Sequence, residues 1–352
     1  MKHMRDNFGN LFLRAQILKA QSKYEDAAEL LERLLRVTVY DPLGRYTAQA
    51  ELAHCCIMLG RFPEAMAHLG EVYACTKDNP TARALAFWAY VQQIETLRCM
   101  QEALGNETEA NVGLRVRLIE DALAWLKRVR LQKWNHALLF QKGIALWALS
   151  KREEALATME RAYRLHQKHQ GPGYSAGTYV WRVAMFSWEL GYLERGLQVL
   201  DQAENIHEEP LVQVQMLVQR VRLLRSLSPP AMSDALAAAR RMIELLRHVQ
   251  HPRIEAFAYA EWAYSAIDAK SLKEASEALT RLRDLVLKEK SVNRLFLARE
   301  ACKAFLSVKD LLIGNKQKSA RPLRQLAAGA LKTVEREEVT KWPTCAPDSV
   351  AR

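Results

Sequence analysis

The chain has 352 residues, of which 49% are hydrophobic and 26% charged, and its formal net charge is +11. Gly and Pro are scarce, with 14 and 11 residues, which excludes the collagen-like and Gly/Pro-rich low-complexity classes. No stretch alternates apolar and polar residues for long enough to demand a β-sheet, so we expect an all-α fold.

The N-terminal region carries no recognisable targeting segment. The opening MKHMRDNFGN is polar, and the apolar run that follows it is interrupted by Arg14 and Lys19, which argues against a signal peptide or a membrane span. The cysteines show no spacing typical of disulfides or zinc sites: Cys55, Cys56, Cys75, Cys99, Cys302 and Cys345. These features predict a cytoplasmic protein with reduced thiols.

Pairs of small residues twelve positions apart recur along the chain. They are Ala15/Ala27, Ala53/Ala65, Gly143/Ala155, Ala184/Gly196 and Ala263/Ala275. Small residues are needed where two antiparallel helices approach most closely, so each pair predicts a helical hairpin with a period of roughly 40 residues. The spacing leaves room for less regular units at 81–132 and 211–249, and for a final pair at about 291–338.

Two segments, 13–35 and 52–73, resemble tetratricopeptide repeats. In that family the turn is followed by an aromatic residue, acidic residues and Ala, as in YEDA at 24–27 and FPEA at 62–65, and Gly60 lies in the second turn. Later copies depart from the pattern, since Arg152 replaces the aromatic residue and Gly196 replaces Ala. The resemblance implies an α-solenoid, a right-handed superhelix of about seven or eight hairpins.

The domain organisation expected from this resemblance is a single solenoid over residues 1–338. A solenoid grows by adding repeats and needs no division into separate globular cores. The segment 339–352 contains Pro343 and Pro347 and has no periodicity, so we expect a disordered tail.

Candidate binding residues follow from the family's use of the first helix of each pair to line the concave groove. Helical spacing from the small residues selects positions on the side away from the packing stripe. They are Phe12, His54, Phe140, Ile144, Trp147, Trp181, Met185, Trp188 and Tyr264. This set predicts an apolar groove that binds an amphipathic helix or an extended peptide of a partner protein. The alternative is that the tryptophans pack between neighbouring pairs.

Basic residues are concentrated towards the C-terminus. Fifteen Lys or Arg stand against seven Asp or Glu between Arg281 and Lys341. Lys288, Arg294, Arg299 and Lys303 are candidate contacts for an anion or a nucleic acid, or else the solvated face of a terminal repeat. Two other functions therefore stay open: a helical-repeat nucleic-acid binder, and a regulatory subunit for an enzyme on another chain.

Catalytic, metal and cofactor motifs are not found in the sequence. The histidine pairs His166/His169 and His248/His251 have no nearby carboxylate or third ligand. The clamp by which tetratricopeptide co-chaperones grip a terminal carboxylate uses Lys, Asn and Arg, whereas the matching places here hold Phe12, Gln16, Ala50 and His54. The sequence thus predicts a non-enzymatic scaffold without a cofactor, catalytic residue or metal ion.

Overall fold

A computed structural model describes residues 2–21, 23–37, 42–169, 172–203, 208–249 and 251–288. Within these ranges the chain consists of α-helices joined by short turns, with no β-strand, so the all-α prediction is confirmed. The helices are α1 (Lys2–Ala20), α2 (Tyr24–Val37), α3 (Pro42–Met58), α4 (Phe62–Thr76), α5 (Arg83–Ala103), α6 (Glu109–Arg128), α7 (Asn135–Ala148), α8 (Arg152–Lys168), α9 (Ala176–Glu189), α10 (Leu193–Gln202), α11 (Pro210–Ser226), α12 (Met232–Leu245), α13 (Pro252–Asp268) and α14 (Leu272–Lys288).

The helices of the described ranges follow one another as seven successive pairs, as the helical-hairpin prediction requires. The expected units at 81–132 and 211–249 each contain two helices, α5–α6 and α11–α12. The expected last pair, 291–338, and the tail, 339–352, lie outside the described residues. None of the described helices is long and apolar enough to cross a bilayer.

Contacts divide the chain into two compact units. Unit 1 comprises Met1–Gln219 and His248–Gln250, and unit 2 comprises Arg220–Arg247 and His251–Arg352. In unit 1 each helix from α1 to α9 packs on the next one in sequence. That nearest-neighbour packing is the property expected of a solenoid.

Unit 2 is held together by packing of α12 on α13 and of α13 on α14, and by a buried carboxylate. Glu261 on α13 is 5% exposed and accepts hydrogen bonds from Arg222 (2.7 Å) and Arg225 (3.3 Å) on α11. Arg225 also donates to Asp268 at 2.6 Å. Charge-assisted hydrogen bonds to both partners compensate the cost of burying Glu261.

The small-residue pairs lie in the packed interior of the hairpins. Each Ala of these pairs is fully buried. At Gly143 on α7, a Cβ atom would stand 2.9 Å from Met159 Cε and 3.3 Å from the Ala155 carbonyl oxygen on α8. A larger side chain there would force the two helices apart.

The turns of four hairpins share one geometry. Gly60, Ser150, Gly191 and Lys270 all have positive φ, between 60° and 79°. Each follows the small residue of the first helix by seven positions. At the first of them, the Gly60 and Arg61 amides donate to carbonyls of the last turn of α3, which is the hydrogen-bond pattern of a Schellman motif.

The α5–α6 hairpin breaks this rule at one position. Its turn residue Gly105 also has positive φ, but the residue seven positions earlier is Arg98 instead of a small residue. In agreement with that bulk, α5 packs much less extensively on α6 than α7 packs on α8. The exception places a guanidinium where the other hairpins have only a hydrogen atom or a methyl group.

Gly143→Leu is expected to destabilise unit 1 by about 1–3 kcal/mol, because the added carbons overpack the α7–α8 contact. The matched control is Gly70→Leu on α4, where a Cβ would meet nothing within 4 Å. We expect this second change to be neutral or to stabilise by up to about 1 kcal/mol through helix propensity. Urea unfolding followed by circular dichroism measures both, and equal midpoints for the two variants would contradict the packing rule.

A buried histidine joins α7 to α9 in unit 1. His136 is fully buried, and its Nδ1 lies 2.8 Å from the Tyr179 hydroxyl oxygen in a hydrogen bond. Burial, together with His166 and His169, lowers the pKa of His136 to about 4. The ring is therefore neutral in the folded protein at pH 7.

Acidification below about pH 6.5, the usual histidine pKa, is expected to destabilise the protein, because the unfolded chain takes up a proton that folded His136 refuses until about pH 4. Stability is thus complete above pH 6.5 and falls towards pH 4. His136→Gln should remove roughly 1–3 kcal/mol of this pH dependence, whereas His248→Gln at an exposed position should leave it unchanged. Urea unfolding at pH 7 and 4.5 measures the free energy of unfolding at each pH. If the wild type and His136→Gln lose the same free energy of unfolding between these two pH values, the assignment is refuted.

Candidate functional site

The candidate site is the first-helix face of unit 1, which we define as the surface formed by α1, α3, α5, α7 and α9. The sequence predicts an apolar groove along it, and the structure shows a mixture of aromatic and charged side chains. Its aromatic part lies on α9, where Trp181, Met185 and Trp188 are half-buried and occupy one side of the helix. We call these three residues the α9 stripe.

Trp147 on α7 is half-buried and lies between two other side chains. Its ring stacks on Phe186 with a centroid separation of 4.0 Å and an interplanar angle of 6°. The guanidinium of Arg152 lies 4.5 Å from the Trp147 ring centroid. Part of this indole is therefore committed to packing between neighbouring pairs, which was the alternative to partner contact.

Two of the predicted groove residues, Phe140 and Ile144, are core residues instead. Phe140 is 3% exposed and Ile144 is 8% exposed. Tyr174, in the segment before α9, covers Phe140 with a ring-centroid distance of 4.3 Å, and Tyr179 contacts it at 5.2 Å. The expectation that these two side chains line an open surface is wrong, because helical spacing within α7 does not reveal the connecting segment that covers them.

The remaining predicted positions are half-buried. Phe12 on α1 stacks on Phe8, with centroids 6.1 Å apart. His54 on α3 makes an edge contact with Tyr24. Tyr264 on α13 belongs to unit 2, and Arg225 lies 4.9 Å above its ring. Tyr264 therefore does not belong to the first-helix face of unit 1.

A chain of polar contacts crosses the first-helix face from one helix to the next. Lys19 on α1 pairs with Glu51 on α3. On α5, Glu95 accepts a hydrogen bond of 2.7 Å from Gln141 on α7. Gln141 also contacts the Tyr174 hydroxyl, so the polar contacts reach from α5 to the segment before α9.

Arg98 and Glu95 form the most enclosed ion pair of this face. Their side chains are 13% and 19% exposed, and Arg98 donates to Glu95 at 2.5 Å and also pairs with Glu102. Burial alone would raise the pKa of Glu95, but Arg98, Gln141 and Arg182 outweigh it and hold the value at about 2. The carboxylate is therefore charged at all physiological pH values.

Arg182 on α9 has no carboxylate within 4 Å among the described residues. Its guanidinium carbon lies 3.8 Å from the Trp181 ring centroid, Nη1 is 3.7 Å from Met185 Sδ, and Nε is buried without a hydrogen-bond acceptor. Burial and repulsion from Arg98 lower the pKa of Arg182 to about 9. An anionic group of a ligand would relieve both costs.

Sequence reasoning missed this charged cluster, although one signal was available. Arg98 stands seven positions before the turn glycine Gly105, where the other hairpins have a small residue. Glu95 stands three positions before Arg98, and side chains at that spacing are neighbours on a helix. By contrast, nothing local in the sequence shows that Arg182 approaches Arg98, since that proximity depends on stacking of α9 near α5.

Lys288, the one predicted anion contact among the described residues, is exposed at the end of α14. Arg294, Arg299 and Lys303 lie outside the described residues, so nucleic-acid contact stays a prediction. In the part of the chain that the structure describes, no three His, Cys, Asp or Glu side chains are grouped to hold a metal ion.

Glu95→Gln is expected to destabilise unit 1 by about 2–4 kcal/mol, because the enclosed Arg98 then loses the carboxylate with which it pairs. The same substitution at Glu277, in the exposed pair with Arg281 on α14, should cost less than about 0.5 kcal/mol. Chemical unfolding at low and high salt measures both. A Glu95→Gln variant as stable as Glu277→Gln would show that the enclosed cluster contributes nothing.

Comparison with known proteins identifies the fold. No protein-family model and no curated protein matches the chain. Among solved structures, it resembles a signal transduction ATPase with numerous domains (STAND) protein with a tetratricopeptide repeat sensor from Pyrococcus horikoshii, with a TM-score of 0.57 and 14% identity over 92% of this chain and 47% of that one.

It also resembles a chain of the APC/C hetero-tetramer Cut9-Hcn1, with a TM-score of 0.54 and 13% identity over 92% of this chain and 55% of that one. The chain spans about half the length of these two proteins. At such low identity the likeness concerns the fold alone. The helical hairpins, their small-residue crossings and these structural matches together show that the chain has a tetratricopeptide-like helical-repeat fold.

Proposed function

We propose that this protein is a non-enzymatic interaction scaffold that binds an amphipathic segment of a partner protein on the first-helix face of unit 1. The observation that carries the proposal is Arg182, a half-buried cation lying against the α9 stripe without a carboxylate partner among the described residues. Such a guanidinium, enclosed by aromatic and thioether groups, favours a ligand that supplies an anion next to apolar side chains.

The α9 stripe supports an apolar component of that ligand. Its members are spaced at i, i+4 and i+7, so they follow one side of α9 over two turns. Aromatic side chains contribute strongly to binding at protein interfaces, and methionine adapts to irregular surfaces. An amphipathic helix with apolar residues at the same spacing fits this arrangement.

The charge of the partner segment follows from the neighbouring residues. Arg98 is already paired with Glu95 and Glu102, whereas Arg182 has no such partner in the described part of the chain. An Asp, a Glu or a terminal carboxylate beside the apolar residues would provide one. We therefore propose an acidic amphipathic segment, which narrows the expectation of a purely apolar ligand.

The low reactivity of three of the four described cysteines is in keeping with a non-enzymatic role. Burial raises the pKa of Cys55 to about 12, that of Cys56 to about 11 and that of Cys99 to about 12. A thiol nucleophile requires a lowered pKa. These thiols are therefore protonated and inert at neutral pH.

Selection of displayed sixteen-residue helical peptides on the full-length protein tests the proposal. We expect the selected peptides to combine Leu, Ile or Phe at helical spacing with Asp or Glu. Arg182→Gln should weaken binding of the selected peptides about 10–100-fold, because a charge-assisted hydrogen bond is lost. The same change should abolish the preference for acidic peptides.

Trp181→Ala combined with Trp188→Ala should remove binding of the selected peptides, measured by fluorescence anisotropy. The matched control is Leu114→Ala, an exposed apolar residue on α6 outside the first-helix face. Circular dichroism confirms folding of each variant. Peptides without acidic enrichment, or with equal affinity for wild type and Arg182→Gln, would overturn the proposed partner chemistry.

A further inference from the structure

A cavity lies between α4, α5 and α6. The cavity has a volume of about 170 Å³ and is lined by Tyr73, Phe87, Tyr90, Asp121, Ala122, Trp125 and Arg128. We call it the α6 pocket. It lies at the α5–α6 hairpin, whose two helices pack much less extensively on each other than α7 and α8 do.

The walls of the α6 pocket are mainly aromatic. The Tyr73 and Tyr90 rings lie 5.4 Å apart at an angle of 53°, and Phe87 and Trp125 provide further surface. The Tyr90 hydroxyl donates to the Leu118 carbonyl oxygen at 3.2 Å, which fixes that ring in place. Electron-rich ring faces of this kind attract cations, and particularly cations whose methyl groups also make apolar contacts.

Two opposite charges border the pocket on α6. Asp121 and Arg128 are exposed, and neither forms an ion pair with another described residue. Asp121 lies close enough to the aromatic wall for its charge to act on Tyr90. Burial, Tyr73 and Asp121 together raise the pKa of Tyr90. Since the two charges stand seven positions apart, their backbones are about 10.5 Å apart along the helix and can face opposite ends of one ligand.

We propose that the α6 pocket binds a small zwitterion with a methylated ammonium group, of the phosphocholine type. The ammonium group lies among Tyr73, Tyr90 and Trp125 with Asp121 as its counter-ion, and the anionic group faces Arg128. The cavity is smaller than the roughly 300–1,000 Å³ of sites for drug-sized ligands, which suits a head group. A primary ammonium fits less well, because it is strongly hydrated and lacks methyl groups to cover the rings.

Isothermal titration calorimetry on the full-length protein tests this with three probes: phosphocholine, choline, and 3,3-dimethyl-1-butanol, which is the neutral isostere of choline. We expect both cations to bind and the neutral isostere to bind at least 10-fold more weakly. Asp121→Asn should weaken binding of phosphocholine and of choline about 3–10-fold. Arg128→Ala should weaken binding of phosphocholine but not of choline, because only phosphocholine carries the anionic group that faces Arg128.

Trp125→Ala should reduce affinity for both cations at least 10-fold. Trp125→Phe keeps an aromatic wall if the alanine variant fails to fold, and should retain most of the affinity. Leu114→Ala, on the same helix outside the pocket, is the control and should change nothing. No binding of either cation, equal affinity for the neutral isostere, or insensitivity to Asp121→Asn would overturn the proposal.

The same chemistry occurs in a free metabolite and in a lipid head group, and a second arm separates these sources. Sedimentation with phosphatidylcholine vesicles, lost in Trp125→Ala and competed by soluble phosphocholine, would identify the lipid head group. Binding of soluble phosphocholine without vesicle association would identify the free compound. Because these readouts do not involve Arg182 or the α9 stripe, failure here leaves the proposed function untouched.

Discussion

The fold depends on close approach of two helices at one small residue, seven positions before a turn residue with positive φ. Buried alanines or Gly143 meet this requirement in the regular hairpins. The turn residue is glycine at Gly60 and Gly191, but Ser150 and Lys270 adopt the same conformation despite its cost for residues with a Cβ atom. The short turn is therefore retained even where the sequence makes it unfavourable, because lengthening it would change the register of the crossing.

The α5–α6 hairpin lacks the small residue, and charged and aromatic side chains are found there. Arg98, seven positions before the turn glycine of the α5–α6 hairpin, pairs with Glu95 and Glu102 and places a cation on the first-helix face. The same hairpin borders the α6 pocket with its aromatic walls. This hairpin, which departs from the repeat pattern, thus carries an enclosed ion pair and also borders a cavity.

The hairpins could be predicted from sequence because they depend on local spacing. A small residue, a turn and a second small residue lie within twelve positions, and the structure places the helices accordingly. The chemistry of the candidate site depends on distant parts of the chain. Burial of Phe140 under Tyr174, and the approach of Arg182 to Arg98, follow from stacking of successive hairpins, which helical spacing within one helix does not encode.

The hydrogen bonds of Gln141 have a mechanical consequence. Helical repeats ordinarily bend because each contacts only its neighbours. Here the Gln141 amide on α7 hydrogen-bonds to Glu95 on α5 and also to Tyr174 in the segment before α9. These hydrogen bonds link three successive hairpins. These two hydrogen bonds should therefore resist bending between these hairpins.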